Sequence, residues 1–133
     1  MEGQLLTDGG SEKIWDIRER TFEFGVRIVK LCQYLDRSSE VARPLVSQLI
    51  RAGTSIGANL EEAQAGHSKP DFLNKNSIAL KESREARYWL RLLLASYRFD
   101  PKISTGIEEL IDEAMEISRI LGSIIANGRK NMN

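Results

Sequence analysis

Only one cysteine, Cys32, and one histidine, His67, occur in the 133 residues. A single cysteine excludes an intrachain disulfide. At this length one domain buries roughly two thirds of its unfolded surface, so no staple is needed. That usage suits a reducing cytoplasm, the expected location. Cys32 and His67 stand far apart in sequence, and no HExxH, CxxC or Glu-x-x-His pattern exists. A zinc or di-iron site is therefore not expected. No GxxxxGK[ST] loop is present, and Gly53 and Gly57 lie inside a helical pattern rather than after a strand. A serine nucleophile would have only His67 as base, and nothing orients it. Acids at Glu61, Glu62, Glu82 and Glu85 lack the histidines of a usual ligand set. The expectation is a protein without enzymatic activity and without a cofactor.

Long apolar runs are also missing. None approaches the ~20 residues that span a bilayer, so no membrane partner is expected. Met1-Glu2-Gly3-Gln4 has no basic region and no apolar stretch follows, which argues against a signal peptide. Nor is there an excess of charge: 19 Lys and Arg balance 19 Asp and Glu. No global field draws nucleic acid, so local asymmetry must carry any such role. Prolines number three, and Pro44, Pro70 and Pro101 all fall at breaks, which favours long helices.

The pattern reads as four helices. Residues 1–11 form a leader with a turn signal at Asp8-Gly9-Gly10. The first helix is expected from about Glu12 to Asp36. Ile14, Ile17, Thr21, Phe24, Ile28, Leu31 and Leu35 make a heptad seam. Trp15, Phe22, Val26 and Val29 form a second apolar flank, which needs a neighbour in a bundle or an oligomer. Asp16 with Arg20 and Glu23 with Arg27 read as i,i+4 pairs on a solvated face. Cys32, one turn past Ile28, reads as a buried structural thiol.

The connection Ser38-Ser39-Glu40 leads to a second helix, from Val41–Leu45 to about Ala65. Its apolar face is Leu45, Leu49, Ala52, Ile56, Leu60 and Ala63. Gly53, Ser55, Gly57 and Ala58 are poor or indifferent helix formers whose small size admits a close neighbour. Arg51, Ser55, Asn59 and Glu62 share the adjoining face. His67 reads as a loop residue. Ser68 is the expected N-cap of the third helix, Lys69 to about Tyr97. Phe72, Asn76, Ala79, Ser83, Ala86, Leu90, Leu93 and Tyr97 form its inner face, widened by Trp89 and Leu92. Arg84, Arg87, Arg91 and Arg98 make a stripe, readable as a solvated, ion-paired face or as a phosphate-binding one. The fourth helix, about Ser104 to Asn127, carries Ile107, Leu110, Ala114, Ile117, Leu121 and Ile124. Glu108, Glu109, Asp112, Glu113 and Glu116 face outward, and this acidic stripe suggests contact with the basic one within or between bundles. Residues 128–133 read as frayed. Short connections force neighbours antiparallel, so the fold class is all-α, an up-down-up-down four-helix bundle over residues 12–127.

The run from Gln48 to Ala63, with SIGANLEEA at its centre, then Ser68-Lys69, Asp71-Phe72 and KESREARYWL over residues 81–90, resembles a known family. It is similar to the small four-helix-bundle proteins first known from intervening sequences in bacterial large-subunit ribosomal RNA genes. Their superfamily includes the accessory protein of diversity-generating retroelements, a pentameric ring that binds nucleic acid and a reverse transcriptase. The resemblance covers Ile14 to Ile125. It implies a homo-oligomer of five copies, with RNA or DNA and a reverse transcriptase as candidate partners. It also implies that Arg51, Asn59, Glu62, Lys81 and Glu85 form a structural polar network between the second and third helices. The retroelement proteins are strongly basic, whereas this chain is neutral and ends with only Arg129 and Lys130 as basic residues.

Two functional readings follow. One is a scaffold or accessory factor whose phosphate contacts fall to Arg84, Arg87, Arg91 and Arg98, with Lys69 and Lys75. The other is an interaction subunit that docks on a polymerase-like protein without touching nucleic acid.

Overall fold

In a computed structural model the chain is described over residues 13–38, 40–66 and 68–131, and over residues 13–16 by its backbone alone. The leader, Ser39, His67 and the side chains of Ile14, Trp15 and Asp16 lie outside the described residues. Four helices follow in order: α1 (Lys13–Asp36), α2 (Arg43–Gln64), α3 (Lys69–Ser96) and α4 (Pro101–Lys130). Each packs on its neighbours in sequence, and α4 returns to α1, closing an antiparallel up-down bundle. The α1–α4 seam is the lightest of the four contacts.

The helix starts follow local chemistry. Pro44, Pro70 and Pro101 each occupy a first turn, where a missing N–H costs nothing. Ser68 Oγ accepts from the Asp71 N–H at 3.2 Å, as the sequence implies. Asp100 Oδ1 accepts from the Ile103 N–H at 3.1 Å. That cap starts α4 about one turn before the expected Ser104. The helix also continues to Lys130 instead of ending near Asn127. Ala42 offers α2 no side-chain cap. Instead its N–H donates to Tyr97 Oη at 3.0 Å, tying the α1–α2 connection to the end of α3.

The core is continuous along the bundle axis. Phe24, Ile28 and Leu35 of α1 meet Leu49, Ala52 and Ile56 of α2, Ala86, Leu90 and Leu93 of α3, and Ile107, Ile117 and Leu121 of α4. Burying each large apolar side chain contributes about 1.5–3 kcal/mol. Four expected seam positions give way to the next residue: Cys32 is buried rather than Leu31, Val46 rather than Leu45, and the other two lie in α3 and α4. Ile125, not Ile124, is buried in α4, because a helix of 3.6 residues per turn drifts against a seven-residue repeat. Leu73, not Phe72, is buried in α3, where it faces Gly128 on the last turns of α4.

The small residues of α2 serve α1. A Cβ on Gly53 would lie 2.8 Å from both γ carbons of Ile28, and one on Gly57 would lie 3.5 Å from Thr21. Cys32 is buried with its Sγ 3.9 Å from the Val46 carbonyl. Burial, reinforced by Asp36, pushes its thiol up to about 11. The expected structural thiol is what the packing produces.

Candidate functional site

The helix faces are best distinguished by where their acids go. On α3, Glu82 and Glu85 both turn toward α2. Arg51 Nη1 donates to the two Glu82 oxygens at 3.2 Å, and its Nη2 donates to Glu85 Oε1 at 2.6 Å. The Glu82 carboxylate beside it raises the Arg51 pKa. Glu82 keeps only 13 % of its side-chain surface. On α4 the acids turn toward α1. Arg20 grips Glu113 through Nε at 3.0 Å and Nη2 at 2.7 Å, and Arg27 Nη2 reaches Glu109 at 2.8 Å. Arg20 is 7 % exposed. The solvated face expected for Arg20 is therefore a buried ion pair, and Arg27 likewise crosses to α4. The expected contact between α3 bases and α4 acids within the bundle does not form among the described ion pairs. The helix geometry explains this: α4 presents Glu109 and Glu113 on the flank next to α1, four residues apart.

With its acids drawn to α2, the outward face of α3 is cationic. Lys81, Arg84, Tyr88 and Arg91 are all exposed and repeat at spacings of three and four, so they share one stripe. Tyr88 is 53 % exposed. No ion pair to Lys81, Arg84 or Arg91 occurs among the described residues. Arg87 flanks the stripe, half-buried, with an Nε that has no hydrogen-bond partner.

The other expected residues are placed as follows. Arg98 lies past the end of α3, on the connection to α4. Lys69 is exposed in the first turn of α3, about 22 Å from Arg84 along the axis. Lys75 is half-buried, and nine residues from Arg84 put it about half a turn round the helix. Of the proposed polar network, Arg51 and Glu85 meet, with Glu82 as the third member. Asn59 Nδ2 instead donates to Ser55 O of its own helix at 2.8 Å, and Glu62 and Lys81 are exposed. Two residues were not among the expected ones. Glu82 was readable as the acid three residues before Glu85. Tyr88 was readable as the aromatic set between Arg84 and Arg91.

The Ser83, Asn76 and Ser118 side chains of α3 and α4 find partners nearby, whereas the buried Arg87 Nε and Trp89 Nε1 have none among the described residues. Ser83 and Ser118 hydroxyls lie 2.7 Å apart, each also within reach of a carbonyl of its own helix, so their two protons are shared among three contacts. Asn76 Nδ2 donates to Phe72 O at 2.9 Å. Among the described residues no group of His, Cys, Asp and Glu is placed to hold a metal ion, and no helix is long and apolar enough to cross a membrane.

A second surface feature lies on α1. Phe22 is 68 % exposed, and Val26 and Val29 continue its stripe half-buried. A groove of about 520 Å³ runs between this ridge and α2, floored by Gly25, Gly57 and Ala58. The bidentate pair of Arg18 with Glu61, at 2.9–3.0 Å, lies on its wall.

Comparison with known proteins adds the following. The family model for 23S rRNA-intervening sequence proteins matches residues 13–123. The chain is also similar to a crystal structure of a protein of unknown function from the S23 ribosomal protein family of Bacteroides thetaiotaomicron. The TM-score is 0.74 and the identity 38 %, covering 82 % of this chain and 97 % of that one. A comparison with curated proteins produces no match.

Proposed function

The chain belongs to the 23S rRNA-intervening sequence protein family, and from that membership we propose that it is a non-enzymatic, homo-oligomeric scaffold or accessory factor that associates with nucleic acid in the bacterial cytoplasm. The observation that carries this reading is the outward stripe of α3. The nearby Glu82 and Glu85 are engaged by Arg51, so Lys81, Arg84 and Arg91 face solvent without pairing to them. Arginine suits phosphate through its planar donors. The exposed ridge at Phe22 supports self-association, since an exposed aromatic beside an apolar groove marks an interaction surface. The assembly proposed is the five-copy ring that the family resemblance implies.

The test is RNA binding across salt, together with solution mass by light scattering. Three or four phosphate contacts give a slope of about −2 to −3 in log K against log salt on a single strand. Binding that is absent at low salt, or indifferent to salt, removes nucleic acid from the reading. A monomeric mass removes the ring.

The ridge on α1 favours a second reading, in which the protein docks on a reverse transcriptase or similar partner without touching nucleic acid. A five-fold mass blind to RNA points there.

A further inference from the structure

Arg84, Tyr88 and Arg91 form one built stripe, and its centre is not a cation. Tyr88 lies about 6 Å along the axis from Arg84 and about 4.5 Å from Arg91. Its ring meets Trp89 in a T-shaped contact, with centroids 5.2 Å apart and planes at 73°. That contact holds the ring against a half-buried neighbour while the residue keeps 53 % of its surface in solvent. A purely electrostatic surface has no use for an exposed aromatic at this position, and a protein core has no use for its exposure.

We infer that Tyr88 is a stacking platform for one base of single-stranded nucleic acid, with Arg84 and Arg91 holding the phosphates on either side. This deepens the nucleic-acid reading above and rests on it. Three features select a single strand over a duplex. Bases in a duplex are stacked on each other and leave no face for Tyr88. The stripe is convex and only about 10.5 Å long between its two arginines. Cations flanking an aromatic is the arrangement that binds unpaired bases without reading their sequence. Charge complementarity to phosphate is supplied locally, because Glu82 and Glu85 are held by Arg51 of α2.

The test is fluorescence anisotropy with labelled oligouridine of twelve nucleotides and with an RNA duplex of twelve base pairs, at low salt. Wild type is compared with Tyr88→Phe, Tyr88→Leu, Tyr88→Ala and the double variant Arg84→Gln/Arg91→Gln. Tyr88→Leu keeps apolar contact with Trp89, so it separates loss of the π face from loss of packing. The expected result is preference for oligouridine, retained by Tyr88→Phe and reduced roughly tenfold by Tyr88→Leu and Tyr88→Ala, the order a single stacked base contributes. The arginine double variant weakens both probes and flattens the salt dependence.

Equal affinity for duplex and single strand overturns the inference. So does oligouridine binding that Tyr88→Leu and Tyr88→Ala leave unchanged. In either case the broader nucleic-acid reading survives. Displacement of RNA by polyglutamate at equal charge concentration also overturns it, since the stripe is then a general polyanion surface. No binding of any RNA by wild type at low salt overturns both.

Discussion

Gly53 and Gly57 sit one turn apart on α2, both against α1, and alanine is expected to act oppositely at the two. At Gly53 the added carbon meets Ile28 Cγ1 and Cγ2 at 2.8 Å and its Cβ at 3.1 Å. Ordinary carbon contacts lie near 3.5–4.0 Å, so about 1 Å of relief is required. Ile28 is fully buried, and as a β-branched residue in a helix it has one strongly preferred χ1 rotamer. Relief must come from separating the helices, at about 1–3 kcal/mol. The gain in helix propensity returns about 1 kcal/mol. The net effect at Gly53 is a loss of roughly 1 kcal/mol. At Gly57 the new carbon lies 3.5 Å from Thr21, an ordinary contact, so the propensity gain of about 1 kcal/mol stands. The two variants should differ by roughly 2 kcal/mol, or about 7 °C in Tm for a chain of this length. Thermal unfolding by circular dichroism measures this directly. In an Ile28→Ala background the two γ carbons are gone and only the 3.1 Å contact with Cβ remains, so Gly53→Ala should cost less stability than in wild type. Gly53→Ala as stable as wild type, or Gly57→Ala falling as far as Gly53→Ala, would refute the reasoning.

Other expectations follow from the ion pairs and the thiol. Glu113→Ala removes the bidentate carboxylate from the buried Arg20 guanidinium and should cost about 1.5–3 kcal/mol in urea unfolding, the range for hydrogen bonds to a charged group. Glu109→Ala, which removes a mostly exposed partner of Arg27, should cost under about 1 kcal/mol. Arg51→Ala should destabilise more than Asn59→Ala, because Arg51 joins two helices while Asn59 bonds its own helix; equal melting temperatures would contradict this. The Cys32 thiol is raised from 9.0 to about 11 in the folded chain. Its contribution to stability is therefore complete below pH 9 and is lost as pH rises through 11. Across that window Tm should fall more steeply for wild type than for Cys32→Ala. Iodoacetamide at pH 8 should modify Cys32 only in urea.

Much of the fold is legible in sequence because helix formation is local. The spacing of Leu49, Ala52, Ile56 and Leu60 names the buried face of α2 with no knowledge of its partner. Ser68 with Pro70, and Pro44, mark helix starts for the same reason. Asp100-Pro101 carries the same signal, and reading it would have placed the start of α4 correctly. The site was partly legible. Arg84 and Arg91 stand out by spacing, as does Arg51 at the edge of the α2 seam. Arg20 was misread, since its i,i+4 neighbour Asp16 suggests a solvated pair, while its bidentate partner Glu113 lies 93 residues away.

By itself the sequence determined four helices, their apolar faces and, through short connections, their antiparallel order. These depend on periods of three and four residues and on chain reach. Only the tertiary structure decided which acids answer which bases. The choice of Arg51 for Glu82 and Glu85, and of Arg20 for Glu113, depends on which flanks the helices turn to one another, a property of packing between distant segments. From that choice comes the exposed cationic face of α3, with Tyr88 at its centre.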